Sequence, residues 1–307
     1  MPINSRSIAY RDGETELTGL LAWDDSQFGE RPGVLVVHGG AGLDNHAKGR
    51  ARRLAELGLV VFACDLYGNG VAGNRERVMS RIMELRKDPA RLLERAQRGI
   101  EVLTSNPQVD GRIAAVGYCF GGMTVLELAR SGMDLAGVAS LHGSLETSRR
   151  AQPGSVKAKI LVCHGALDPH VPMAQVSAFA EEMNSAGADW QLILYGGAMN
   201  GFTHDGGPHG PGVAYHAESD ARSSRALEQF LIELFGRDVN TIPSCLLSSS
   251  DPIPFYRRQI QGTGFFKASA IPASASGAMI SYPALFGCTP SGLSSALRPP
   301  SLLTMLE

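Results

Sequence analysis

Nowhere does the sequence hold an apolar run long enough to span a bilayer. Its opening, Met1-Pro2-Ile3-Asn4-Ser5-Arg6, lacks the apolar core of a secretory leader. Charge of either sign is not in excess: 28 Lys and Arg against 30 Asp and Glu leave a net −2. That balance argues against a nucleic-acid partner and gives no reason to expect attachment to an anionic membrane. Cysteine is scarce. The five, Cys64, Cys119, Cys163, Cys245 and Cys288, are odd in number, widely spaced and without a CxxC pair. A disulfide framework and a thiolate zinc site are therefore poorly supported. These absences point to a soluble cytoplasmic protein.

What is present divides into two regimes. From Ser5 to about Gly236, short apolar runs alternate with helical patterns. Beyond Asp238 the chain is rich in Ser, Pro, Gly and Ala, with turn chemistry such as Ser250-Asp251-Pro252 and no sustained period. The expectation is a folded domain over 1–237 and a largely disordered tail over 238–307. In the first regime, Ser7–Tyr10 and Leu17–Ala22 read as a hairpin around Asp12-Gly13. Continuous apolar runs follow at Gly33–Val37, Val60–Cys64, Ile113–Gly117, Gly137–Leu141, Ile160–Cys163 and Gln191–Leu194, the mark of strands covered on both faces. Helical patterns lie at His46–Leu57, Pro89–Ser105, Met123–Arg130, Met173–Ala186 and Asp220–Leu234. The alternation specifies an α/β fold, a mostly parallel central sheet with helices on both faces. Its ligand site belongs beyond the carboxyl ends of the strands.

Three segments fall on that edge. Gly117-Tyr118-Cys119-Phe120-Gly121-Gly122 follows an apolar run and opens a helical pattern. This is the grammar of a nucleophile elbow, with cysteine at the tip. A helix N-terminus aimed at the sulfur is expected to lower the thiol pKa. His38-Gly39-Gly40 follows another strand, so the Gly40 and Phe120 N–H groups could form an oxyanion hole; a phosphate-type loop or a plain turn is the other reading. Asp168, in His164-Gly165-Ala166-Leu167-Asp168-Pro169, stands where a carboxylate could orient an imidazole. It could equally be a turn cap. The third segment, Tyr195–Asp205, follows the last strand, where a triad histidine should appear.

On Gly117–Gly122, His164–Pro172 and Gly201-Phe202-Thr203, the chain resembles the dienelactone hydrolase family, the cysteine-nucleophile branch of the α/β-hydrolase fold. The resemblance covers roughly Ser5–Gly236. It implies hydrolysis of small lactones or esters through a thioester, without a cofactor, with Cys119 as nucleophile and Asp168 as orienting acid. Two positions depart from the family pattern. Asn200 stands where the catalytic histidine belongs, and Gly39 where a glutamate contacts the resting thiol. Asn200 is then a substrate-side contact beside Gly40 and Phe120. His204, four residues on, is either a substrate contact or a replacement base. His209 and His216 are further candidates on solvated loops; His38, His142 and His164 read as structural. Arg75 and Arg77 lie in the loop after Gly73 and read as solvated. A catalytically impaired protein of the same fold, binding a small ligand or a partner, is the competing reading. A redox sensor at Cys119 is a third, with no resolving cysteine nearby in sequence.

Overall fold

The structure is a computed structural model and describes residues 3–236 apart from Pro208. The tail expected over 238–307 lies outside the described residues. The chain opens with strands β1 (Ile3–Asp12) and β2 (Thr15–Asp24), paired antiparallel about Gly13. Strands β3 (Arg31–Val37), β4 (Val60–Cys64), β5 (Val109–Tyr118), β6 (Gly137–Leu141), β7 (Lys159–Gly165) and β8 (Trp190–Tyr195) follow. The helices are α1 (Asn45–Ala55), α2 (Arg75–Lys87), α3 (Pro89–Thr104), α4 (Phe120–Arg130), α5 (Met173–Ala186) and α6 (Ala217–Phe235). The strands form one sheet in the order β1-β2-β4-β3-β5-β6-β7-β8, parallel from β4 to β8.

Alternation along the central strands builds two cores at once. Leu35, Val37, Phe62 and Cys64 join one apolar cluster with residues of α3, α4 and α5. Val34, Val36, Val61 and Ala63 join the other with residues of α1 and α6. A period of two therefore feeds both faces of the sheet, and every residue of β3 and β4 is buried. Gly99 lets α3 sit directly on the sheet, since a Cβ there would come within 2.8 Å of Leu35 and 2.9 Å of Cys64.

Helix α2 has no counterpart among the helical patterns expected from sequence. Only Val78 and Leu85 are buried on it, and the rest is mainly charged. Asn74 caps it by accepting from the Arg77 N–H at 3.0 Å. Arg75 and Arg77 thus belong to a helix rather than to a loop.

Two buried ion clusters tie elements together. Arg95 donates to Asp12 at 3.0 Å and to the Leu66 carbonyl at 2.9 Å, joining α3 to the hairpin and to the loop after β4. Arg130 on α4 reaches Glu127 at 2.9 Å, both oxygens of Glu182 on α5, and the Leu145 carbonyl. Removing one member of such a set leaves the opposite charge buried without a partner. Arg130→Ala is therefore expected to lower the unfolding free energy by about 3–5 kcal/mol in urea titration. A loss below about 1 kcal/mol, the range of an exposed pair, would contradict this account.

Candidate active site

The turn from β5 into α4 leaves almost no space for side chains. A Cβ at position 117 would lie 2.0 Å from the Gly121 carbonyl oxygen, and one at 121 would lie 2.2 Å from that of Val37. At 122 it would meet Ser140 Oγ at 2.7 Å. Only glycine fits these three places. Between them Cys119 takes φ 52° and ψ −112°, a conformation that costs a side-chain-bearing residue on the order of 1–3 kcal/mol. Its N–H donates to the Leu141 carbonyl at 2.9 Å, so β6 helps hold the strained residue.

The backbone N–H groups of Gly40 and Phe120 act on the half-buried Cys119 sulfur, each favouring its thiolate. These come from the β3–α1 loop and the first residue of α4, the two donors expected of an oxyanion hole. The loop beneath is well fastened. His38 is fully buried, its Nδ1 donating to the Gly39 carbonyl at 2.7 Å while its Nε2 accepts from the Leu66 N–H at 3.0 Å. The Tyr67 hydroxyl donates to the Gly40 carbonyl at 3.2 Å. Next to the sulfur, Gly39 leaves its Cβ position empty, 3.5 Å from Cys119 Cβ. A residue there would line the nucleophile, and glycine puts no carboxylate beside it.

The thiol itself departs from expectation. The helix N-terminus does point at it, and the Gly40 and Phe120 N–H groups do favour the thiolate. Burial outweighs both and raises the Cys119 pKa above the ordinary thiol value. The sequence-based expectation of a lowered pKa is thus corrected by desolvation.

Asp168 sits in the loop after β7, nearly fully buried. One oxygen accepts from the backbone of His170 at 2.8 Å and Val171 at 3.3 Å, a tight turn that fixes the carboxylate. The other accepts from Asn200 Nδ2 at 2.9 Å. The same Nδ2 donates to the His142 carbonyl at 3.1 Å. Two acceptors on one amide nitrogen determine which way the amide faces. The Asn200 backbone is held in turn by Gly212 and Ala214. Asn200 therefore makes toward Asp168 the hydrogen bond that an imidazole would make.

His204 is placed elsewhere. Its Nε2 lies 3.2 Å from Asp44 Oδ2, and its ring stacks on His46 at 4.4 Å between centroids. Among the described residues no hydrogen bond joins His204 to Asp168 or Cys119, so the replacement-base reading finds no geometric support. The loop turns the ring toward the start of α1 instead. The remaining histidines have structural duties. His142 donates to or accepts from Thr203 Oγ1 at 2.8 Å, and burial pushes its pKa well below the usual value. His164 Nε2 donates to the Val171 carbonyl at 3.0 Å. His216 caps α6, and His209 is exposed. His46, which no sequence motif singles out, is held neutral: burial first, then the Arg50 guanidinium, push its pKa down to about 4.

Residues 17–235 match the family model described as the dienelactone hydrolase family. The chain belongs to that family. Membership supports a hydrolase of the lactone or ester type. A solved dienelactone hydrolase-like promiscuous phosphotriesterase from metagenomic libraries is 39% identical, with a TM-score of 0.71 over 76% of this chain and 99% of that one. An uncharacterised Caenorhabditis elegans protein is 36% identical over 47% of this chain and 95% of its own length. A putative carboxymethylenebutenolidase of Methylorubrum extorquens is 27% identical over 63% of this chain and 69% of its own. None of the described helices of this family member is long and apolar enough to cross a membrane.

The raised thiol gives a pH prediction. Below its pKa the thiolate fraction grows about tenfold per pH unit. Alkylation of Cys119 by iodoacetamide, followed by peptide mass analysis, should therefore keep accelerating with that slope past roughly pH 9. A plateau below about pH 8 would mean that the helix N-terminus outweighs burial.

Proposed function

We propose that the chain hydrolyses small lactones or carboxylic esters through a thioester on Cys119, and does so slowly because Asn200 stands in the base position. The observation that carries this is the sulfur at the elbow facing the Gly40 and Phe120 N–H groups. The thiolate attacks the ester carbon, and the two N–H groups receive the negative charge that develops on oxygen. The tetrahedral adduct collapses, the alkoxide or phenolate leaves, and the acyl group stays on sulfur. Water then has to displace the thiolate. An amide neither accepts nor returns a proton near neutral pH, so Asn200 cannot activate that water. Acylation by activated esters proceeds through the fraction of Cys119 that is ionised; release of the acid is the slow half.

Asn200 also motivates a second reading, a protein of the same fold that binds a small ligand without turning it over. Its bond to Asp168 keeps that carboxylate partnered, while an amide transfers no proton. Similarity to the metagenomic phosphotriesterase adds aryl phosphotriesters to the probes worth offering.

Hydrolysis of p-nitrophenyl acetate separates the two. The unaltered chain should show a burst of one product per active site followed by slow release, and Cys119→Ala should abolish the burst. Asn200→His, which restores an imidazole within reach of Asp168, should raise steady-state turnover by at least ~10²-fold. A burst-free parent that stays inactive with histidine at 200 would overturn the hydrolase reading.

A further inference from the structure

The chemistry above leaves one cluster of ligating side chains unused. Asp44 is the N-cap of α1, and its Oδ1 accepts from the Ala47 N–H at 3.0 Å. Its Oδ2 is thereby left for other work and meets His204 Nε2 at 3.2 Å. His46, in the first turn of α1, stacks on His204. One donor atom from each of the three lies within 4.8 Å of the others, and all three residues are half-buried. The 3.2 Å separation is close to the edge of a tetrahedron whose centre lies about 2.0 Å from each corner, the reach of zinc to nitrogen and carboxylate oxygen.

The surroundings suit such a centre. His46 Nε2 stands 2.9 Å from the Thr203 carbonyl, which takes the Nε2 proton and fixes the ring in the tautomer that leaves Nδ1 to ligate. Thr203 Oγ1 also contacts His142, so the cluster has a second layer of hydrogen bonds. Arg50 is a cation beside the cluster; in the other tautomer its Nε donates to His46 Nε2 at 3.2 Å, a bond that ligation through Nδ1 exchanges for the one to Thr203. Its Nη2 is paired with Asp220 at 2.7 Å, which offsets its charge. The side chains of Asp44 and His204 remain about a quarter exposed, at 27% and 23%, which leaves an entry path and room for water.

We propose that Asp44, His46 and His204 form a site for one divalent transition-metal ion of the zinc type, completed by water. Two imidazoles and one carboxylate are a donor set that first-row divalent ions accept. The ion would pin the start of α1 to the segment that carries Asn200, because Asn200 and His204 share one short loop. The plain alternative is an Asp–His ion pair with no affinity for metal.

The test uses the full, tag-free chain with Cys119→Ala, Cys245→Ala and Cys288→Ala, so that neither the elbow thiol nor those of the C-terminal segment compete. After chelator treatment it is titrated with Co2+ and then Zn2+. The expected result is one cobalt ion per chain with the visible absorption of a four- or five-coordinate centre, displaced by zinc, together with a rise in thermal midpoint. Asp44→Asn keeps a good N-cap while removing the anionic ligand. His204→Gln removes an imidazole. Each should weaken binding by at least ~10-fold, with circular dichroism confirming the fold, and either variant alone decides if the other fails to fold. Binding that is unsaturable, or unchanged in a folded variant, overturns the proposal.

Discussion

At the turn from β5 into α4 there is no room for a side chain two residues to either side of Cys119. Gly117 and Gly121 face backbone oxygens at 2.0 and 2.2 Å from where a Cβ would be. This crowding forces Cys119 to a positive φ and presses the start of α4 against the end of β3. The same crowding brings the Phe120 N–H and the Gly40 N–H to one point, since one donor rides on α4 and the other on the loop leaving β3. The sheet order follows the same logic. β3, β5, β6 and β7 are adjacent, so the loops that bear Gly40, Cys119, His142 and Asp168 emerge side by side.

Much of this is readable in the residues. Continuous apolar runs locate β3 to β8, and the glycine spacing around Cys119 locates the elbow. Helix α2 escapes because its stripe is thin. Val78, Ile82 and Leu85 have helical spacing, yet eight of its other ten residues are polar or charged, and Met83 is exposed. The thiol pKa is misjudged from sequence because a helix N-terminus is visible there, whereas desolvation depends on what packs around the sulfur. His204 is misplaced for a related reason. Sequence proximity to Asn200 says nothing about which way a turn points, and the partners that claim His204, Asp44 and His46, lie about 160 residues away in the chain. They could be found only by asking which residues lie at the carboxyl end of β3.

On the proposed reading, asparagine at position 200 preserves shape while removing chemistry. Nδ2 of an asparagine can donate to Asp168 as an imidazole N–H would, and the spare amide hydrogen goes to the His142 carbonyl. The buried Asp168 carboxylate therefore keeps a partner and is not left as an unsatisfied charge. On the proposed reading only the capacity to carry a proton is missing, so fold and reaction are separated by a single side chain of similar reach.

The sulfur's own resting place has a consequence for selectivity. The Gly40 and Phe120 N–H groups, which an incoming oxygen would need under the proposed mechanism, already act on the sulfur as a weak acceptor. A ligand gains only the difference between its oxygen and that sulfur. On the proposed reading, poor acceptors gain little, whereas a strongly polarised oxygen, as on an activated acyl group, competes with the sulfur for those donors. On that reading the two donors grade incoming molecules by acceptor strength before any bond is made.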